Sequence, residues 1–452
     1  MKSDTSMITG SPGRSLLFFA LPMVLGNLFQ QLYNIVDSII VGQVCGNKAL
    51  AAVNSTAAVV NVYISIALGL SVGCMIVFSQ LMGAKKYARM KTAFYTAIIS
   101  LAVLSIIMLL AGYFSTEWIL KATNVPADTY ADSKTYYQIY VMAFPALFIY
   151  NISNSGFNSL GKSRMTLFLL MGSSLLNVGL DLWFVAGLGM GVAGAAIATD
   201  ISMYIAAVIA LSFLIHHIRH NYPASEKYAI YEFRLLGNML KVAVPTMMAQ
   251  VVVSVGYVAL QALVNTFGSE VMAGYGAAFR LDALCSVPMV QIGNAMATFA
   301  GQNVGAKQFD RVPQGIRSST AMVTVIWLFF AALVWLFGRQ LIGLFMNETA
   351  TELAYTTGIA YMRVMCSFYI LLGLMYIFAA TLRGTGDAMI SVVAVICNFG
   401  ARCLFAYIMV GLTGSEVMIW WSNVIGWVIA LLICVFRFRT GIWKTKRLAD
   451  KV

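Results

Sequence analysis

The sequence predicts an all-α membrane protein in which twelve transmembrane helices form two six-helix lobes. Three observations support this class: 60% of the 452 residues are hydrophobic, only 10% are charged, and long apolar stretches recur along the whole chain. Soluble domains carry about 25% charged residues, so most of this chain belongs in lipid. The mean hydropathy of +0.82 agrees with that placement.

Each apolar stretch is long enough to cross the bilayer as a helix, which takes about 20 residues. Helices are expected because lipid offers no partners to unpaired backbone groups. The stretches are also too long and too evenly apolar for the strands of a membrane barrel. The predicted spans are 16–42, 52–81, 92–113, 136–160, 166–187, 192–216, 238–266, 274–301, 318–340, 355–382, 389–411 and 416–438.

The second half of the chain repeats the first half in register. Ala20-Leu21-Pro22 returns as Ala243-Val244-Pro245, and the run from Gln80 to Lys85 (QLMGAK) returns 222 residues later as QNVGAK. An even number of spans in each half makes the repeats parallel, a common construction of secondary transporters. We therefore predict an N-lobe of helices 1–6, a cytoplasmic linker, and a C-lobe of helices 7–12 with a basic tail; these cover residues 1–216, 217–237 and 238–452.

The formal net charge of +12 reflects orientation in the membrane rather than nucleic-acid binding. Most of the 29 Lys and Arg residues lie in the termini and in the connections from even to odd helices. The opposite loops hold only Lys48, Lys121, Lys134 and Arg339. Because positive loops stay in the cytoplasm, both termini are predicted to be cytoplasmic.

Two motifs that could suggest other chemistry have simpler explanations. The run from Gly156 to Ser163 fits the nucleotide-binding P-loop pattern, but it joins two membrane helices rather than a strand and a helix. It predicts a tight cytoplasmic turn and no nucleotide partner. His216, His217 and His220 cluster at the end of the sixth helix, where an interfacial cluster is favoured over a metal site. No catalytic residue and no metal other than Na+ is expected, so the chain is not predicted to be an enzyme.

Four aspartates lie inside apolar spans: Asp37, Asp181, Asp200 and Asp282. Each costs about 2.5–3.5 kcal/mol at a helix centre. Asp282 is two residues from Arg280, so a structural pair with Arg280 or Arg402 and a functional role both stay open for it. Asp37 and Asp181 have no intramembrane Lys or Arg in the first six helices, which favours a cation or proton site.

The neighbours of these two aspartates support that interpretation. Asn177 and Asp181 are spaced i, i+4 and so share one helix face, and Thr199 adds a hydroxyl on the sixth helix. Carboxylate, amide and hydroxyl oxygens suit a hard cation, and the same carboxylates could carry a proton. In the second half, Arg402 stands where the repeat of Asp181 would fall. Asp200 and Asp282 are kept as secondary candidates.

Polar residues at helical spacing predict the lining of a substrate cavity between the halves. They lie on the first, fourth and seventh helices and are Gln30, Tyr33, Asn34, Asn151, Asn154, Gln250 and Ser254.

Three stretches resemble multidrug and toxic compound extrusion (MATE) transporters, and the similarity covers essentially the whole chain. They are the first helix from Pro22 through Gln31-Leu32-Tyr33-Asn34-Ile35-Val36-Asp37-Ser38, the segment from Asn177 to Thr199, and Gly301-Gln302-Asn303-Val304-Gly305-Ala306.

The resemblance implies two lobes around a V-shaped cleft and export of cationic or amphipathic compounds, driven by Na+ or H+. It places the cation site on Asp37, Asn177, Asp181 and Thr199, whereas it does not make position 200 acidic. It further implies a monomer in the bacterial cytoplasmic (inner) membrane, with no cofactor besides the coupling ion.

Two other functions are weighed against this one. A flippase for a lipid-linked precursor, from the same superfamily, would share the architecture. Such proteins usually carry more cationic residues inside the cavity than Arg280, Arg363 and Arg402. A membrane-embedded transferase would need a catalytic cluster at a membrane face, whereas the acids here are buried and dispersed.

The predicted topology is tested by labelling introduced cysteines with a membrane-impermeant maleimide. A cysteine near Asp128 should react from outside the cell, because an outward loop is exposed there. A cysteine near Glu226 should react only after the membrane is permeabilised. The reverse pattern would overturn the orientation and the parallel repeat together.

Overall fold

The computed structural model describes residues 6–123, 125–127, 129–223, 227–346 and 350–450. Asp128 and Glu226, used above to test topology, lie outside these ranges. The described chain contains no strand, which confirms the all-α class. Its helices are α1 Ser6–Thr9, α2 Pro12–Gly83, α3 Tyr87–Phe114, α4 Thr116–Ala122, α5 Tyr130–Tyr140, α6 Phe144–Ser159, α7 Ser163–Asp181, α8 Gly191–Asn221, α9 Phe233–Asn265, α10 Ser269–Gly305, α11 Arg311–Gly343, α12 Glu352–Thr385, α13 Ala388–Thr413 and α14 Val417–Arg439.

Eleven helical segments in the described chain are long and apolar enough to cross a membrane. The predicted fourth span, 136–160, is not among them because it is interrupted. α5 ends at Tyr140, a 3-10 turn covers Val141–Ala143, and α6 begins at Phe144. Pro145 stands in the first turn of α6, where its missing N–H needs no helical partner. The fourth predicted span is therefore two shorter helices joined end to end.

The first and second predicted spans both lie in α2, which consists of two helices that meet at a kink at Gly46. The backbone there has φ 82° and ψ 177°, and Gly268, which precedes α10, has φ 90° and ψ 173°. These angles suit glycine because other residues meet a steric penalty at positive φ. The two glycines are 222 residues apart, so the repeat seen in the sequence is also a repeat of backbone conformation.

The turns that follow α2 and α10 repeat in the same way. After α2 the amide of Lys85 donates to the Met82 carbonyl at 3.0 Å, and after α10 the amide of Lys307 donates to Val304, also at 3.0 Å. Both lysines adopt positive φ, at 57° and 59°. The P-loop-like run forms the predicted turn, with Gly161 at φ 76° between α6 and α7.

The chain forms two compact units, each described here by itself. The N-unit is Leu25–Met247, and the C-unit combines Met1–Val24 with Met248–Lys451. The predicted lobe limits of 1–216, 217–237 and 238–452 stay a prediction.

The C-unit has one continuous apolar core, in which α10 and α12 pack most extensively against each other. Both ends of the chain dock on the end of α10. Asn303 donates to the Met7 carbonyl at 3.1 Å, and Arg447 in the C-terminal tail donates to the Val304 carbonyl at 3.2 Å. Arg447 thereby satisfies a carbonyl at the helix end that has no partner within the helix.

The N-unit depends on helices that approach closely through small residues, as is usual in membranes. On α2, a Cβ added to Gly69 would lie 2.3 Å from the Met247 Cα. A Cβ added to Gly73 would lie 2.2 Å from the Ala243 Cα on α9. Backbone atoms cannot rotate away as a flexible side chain can, so glycine is required at both positions.

Replacing Gly73 with alanine is expected to destabilise the protein by about 1–3 kcal/mol, the usual cost of overpacking. Gly172→Ala is the control, because a Cβ there meets nothing within 4 Å. It should be neutral or should stabilise the helix by up to about 1 kcal/mol. Thermal unfolding in detergent measures both variants, and equal melting temperatures would contradict the close approach.

Candidate functional site

Three helices of the N-unit bring the predicted cation-site residues together. Asp37 lies on the first section of α2, Asn177 and Asp181 end α7, and Thr199 lies on α8. Asp181 is completely buried and Asn177 is 2% exposed, whereas Asp37 and Thr199 are half-buried. A polar cluster of this kind inside a membrane helix bundle is costly and indicates a functional role.

Asn177 connects the three helices. With its amide nitrogen turned toward the acceptors, Asn177 donates to Asp181 Oδ2 at 3.0 Å and to the Tyr33 hydroxyl oxygen at 2.6 Å. Its amide oxygen then accepts from the Thr199 backbone N–H at 3.1 Å. The Thr199 hydroxyl, for its part, donates to the Ala195 carbonyl at 3.0 Å. Both amide hydrogens of Asn177 and one acceptor site of its oxygen are thus used in positioning its neighbours.

The carboxyl groups of Asp37 and Asp181 lie within hydrogen-bonding reach of each other. Among the described residues, neither takes part in an ion pair with Lys, Arg or His. Asp181 Oδ1 is buried and has no hydrogen-bond partner. Two carboxylates this close repel each other when both are ionised and unpaired.

Asp200, the neighbour of Thr199 on α8, belongs to the same cluster. It is 8% exposed, and its Oδ1 atom is buried with no partner. Tyr136 and Tyr140 lie in the electrostatic field of both Asp200 and Asp37. Neither tyrosine was predicted as a site residue from the sequence. Their spacing of i, i+4 in the fourth predicted span was the available signal.

A π-helical turn, Leu182–Gly187, follows Asp181 directly. Such turns are rare and often lie at functional sites. It brings Val185, which is 1% exposed, into an apolar cluster with Ile40 of α2 and Val192 and Ala195 of α8. The π turn thereby packs the end of α7 against α2 and α8.

The predicted cavity-lining residues fall into two groups. Tyr33 is the one that joins the cation-site cluster, through Asn177. The others include side chains that bond along their own helices: Asn34 donates to Gln31 at 3.5 Å, Asn151 to the Leu147 carbonyl at 2.8 Å, and Ser254 to the Gln250 carbonyl at 3.2 Å. Gln30 is exposed, and Asn154 is half-buried.

The C-unit holds Asp282, which is half-buried, differently. Asp282 on α10 accepts hydrogen bonds from two tyrosines of α12, Tyr361 at 3.3 Å and Tyr369. Arg402 on α13 is close enough for its charge to act on Asp282, but its hydrogen bond goes to Asn423 of α14. Arg280 is exposed. Of the two partners predicted for Asp282 from the sequence, Arg402 lies nearby but does not form a hydrogen bond with it. Tyrosines supply the direct contacts to Asp282.

No group of three or more His, Cys, Asp or Glu side chains in the described part of the chain is arranged to hold a metal ion. His216 and His220 stack with ring centroids 4.1 Å apart, and His220 contacts the His216 carbonyl at 3.1 Å. The two rings contact each other along one helix, and the interfacial cluster stays a prediction.

The fold and these side chains define a multi-pass membrane transporter of the MATE type. The MatE family profile matches residues 22–183 and 245–408, once in each repeat. The chain belongs to the MatE family.

Relatives and solved structures cover nearly the whole chain. The probable multidrug resistance protein YoeA of Bacillus subtilis (strain 168) is 27% identical over 446 residues, which is 96% of this chain and 95% of that protein. The probable multidrug resistance protein YpnP of the same strain is 29% identical over 385 residues, 85% of this chain and 84% of that protein.

Among solved structures, an outward-facing multidrug resistance MATE family transporter of the MOP superfamily matches with a TM-score of 0.90. It is 23% identical and covers 98% of this chain and 99% of that one. A MATE structure in the bent conformation matches at 0.89, with 22% identity and 99% coverage of both chains. At this identity, the solved structures establish the fold.

Removing the Tyr369 hydroxyl is expected to destabilise the C-unit. A hydrogen bond to a charged group contributes about 1.5–3 kcal/mol, so Tyr369→Phe should lower the free energy of unfolding by that amount. Tyr361→Phe is the comparison and should cost less, because its bond to Asp282 is long at 3.3 Å. Denaturation by SDS in mixed micelles measures both, and no loss in either variant would contradict the role of the tyrosines.

Proposed function

We propose that this protein is a cation-coupled antiporter that exports cationic or amphipathic compounds by alternating access. The observation that carries the proposal is the uncompensated Asp37–Asp181 pair in a bundle of membrane helices. The names of the relatives, multidrug resistance proteins, support the substrate class.

The N-unit cluster is suited to bind Na+ or H+. Asp37 and Asp181 would supply the negative charge and the oxygen ligands that a hard cation prefers. Asn177 holds Asp181 and Tyr33 in place, so the ligands are positioned before the ion arrives. If the coupling ion is H+, the same close pair of carboxylates would hold it between them. In either case the ion removes the repulsion between the two side chains.

Ion binding can drive export only if the ion binds the alternating conformations with different affinity. Asp37 is on α2 and Asp181 is on α7, so any movement of one helix relative to the other changes the distance between the two carboxylates. Pro22 lies in α2, where it removes one backbone hydrogen bond and provides a place for the helix to bend. Occupancy of the site would therefore favour the conformation in which the two carboxylates are together.

The remaining parts of the proposal follow from the sequence. The protein is a monomer in the bacterial cytoplasmic membrane with both termini in the cytoplasm, and residues 217–237 link its two lobes. The negative cluster suits export of organic cations better than movement of an anionic lipid-linked precursor.

Asp37→Asn and Asp181→Asn are expected to abolish gradient-driven export while leaving the protein folded. Each substitution keeps the size and hydrogen bonding of the side chain but removes its charge, so the coupling ion loses its site. Proteoliposomes containing each variant are loaded with ethidium, and an inward Na+ or pH gradient is imposed. The wild-type protein should export the dye under at least one of the two gradients.

Asp132→Asn is the control, because that carboxylate is exposed in the first turn of α5. It should transport like the wild type. Full gradient-driven transport by both site variants would reject the N-unit site. Transport by the wild type that depends on neither gradient would reject ion coupling altogether.

A further inference from the structure

Arg402 is a buried cation at the position in the C-unit that corresponds to the N-unit cation site. Asn177 and Asp181 on α7 have the counterparts Asn398 and Arg402 on α13, at the same spacing along the helix. Arg402 is 4% exposed. Where the N-unit has an acid that needs a cation, the C-unit has a cation that is part of the chain.

The side chains around the two positions also correspond. In the N-unit, Asn177 contacts Tyr33 of α2 and Thr199 of α8. In the C-unit, the Arg402 guanidinium lies 5.4 Å from the ring centroid of Tyr257 on α9 and donates to Asn423 Oδ1 on α14. Equivalent helices of the two repeats thus present a tyrosine and a polar side chain to the same place.

An aromatic ring and two glycines of the C-unit accommodate this guanidinium. Arg402 stacks at 4.5 Å over the ring of Phe399. A Cβ at Gly256 would lie 2.1 Å from that ring, and a Cβ at Gly426 would lie 2.5 Å from the Arg402 Cγ. The glycines at positions 256 and 426 therefore leave the space that the guanidinium stem and the stacked ring occupy.

Asp282 in the C-unit has an opposite charge nearby, whereas the acids of the N-unit cluster have none paired with them in the described chain. In the C-unit, Arg402 is close enough to act on Asp282 without an ion pair between them. The N-unit cluster has Asp37, Asp181 and Asp200, none of which forms an ion pair among the described residues. A buried charge needs a counter-charge; the C-unit contains its own, and the N-unit must take one from solution.

We propose that Arg402 is a tethered cation that occupies the C-unit counterpart of the N-unit site, so that exchangeable ions bind in the N-unit alone. This inference rests on the proposed function for what the N-unit binds. The positions of Arg402 and Asp282 in the structure do not depend on the proposed function. The buried Asn398 Oδ1 atom has no hydrogen-bond partner, so an acceptor remains to receive an ion once the guanidinium is removed.

The decisive experiment removes the N-unit site and the tethered cation in turn. Purified protein in detergent is assayed for retention of radioactive Na+ by scintillation proximity, and for proton uptake in weakly buffered solution. Asp181→Asn should reduce ion binding to background. Asp181→Asn combined with Arg402→Gln should restore binding of one of the two ions, because Asp282 then lacks its counter-charge.

Two further variants are controls. Asp181→Asn with Arg402→Lys keeps a cation and should stay at background. Adding Asp282→Asn to the Asp181→Asn/Arg402→Gln protein should abolish the restored binding. If Arg402 only supports the structure, none of these variants should regain ion binding.

A double-mutant cycle tests the charge balance even if the Gln variant folds poorly. Arg402→Gln and Asp282→Asn should each lower the melting temperature, and the double variant should melt higher than Arg402→Gln alone. Additive losses, or a folded Asp181→Asn/Arg402→Gln protein that binds neither ion, would overturn the tethered cation. If the wild type and Asp181→Asn bind ions equally, the proposed N-unit site fails instead, whatever the cycle shows.

Discussion

Burying a carboxylate without a counter-charge is the constraint on which the rest of this structure depends. Moving an ion out of water costs several kcal/mol even after the protein relaxes. Asp37 and Asp181 lie side by side in the N-unit with no basic residue paired to them in the described chain. Under the proposed function, a proton or a metal cation bound at this pair would supply the missing counter-charge.

The two repeats satisfy the same constraint in different ways. They share the positive-φ glycines Gly46 and Gly268 and the same lysine turns after α2 and α10. On this common backbone, one repeat holds an excess of acids, and the other pairs an acid with two tyrosine hydroxyls and a nearby guanidinium. A duplicated scaffold can thus keep its shape while its halves have different electrostatic roles.

Interruptions of regular helix lie close to the N-unit site. The π turn after Asp181 and the 3-10 turn between α5 and α6 both depart from the α-helix predicted there. Val185 of the π turn packs with Ile40, Val192 and Ala195. The 3-10 turn directly follows Tyr140, which lies near Asp200 and Asp37. Regular helices would present these side chains at other angles, so the interruptions help to form the site.

The sequence alone determined the membrane class and the repeat, because hydropathy and the similarity of the two halves are visible in the order of the residues. It also located the aspartates inside apolar spans, whose functional role stays a prediction. The spacing of Asn177 and Asp181 was enough to place both on one helix face. It did not determine that Asn177 also contacts Tyr33 and Thr199, or that Tyr136 and Tyr140 face the acids. It also left the partner of Asp282 open. Those features depend on how separate helices pack, and a partner that lies tens or hundreds of residues away leaves no periodic signal in the chain.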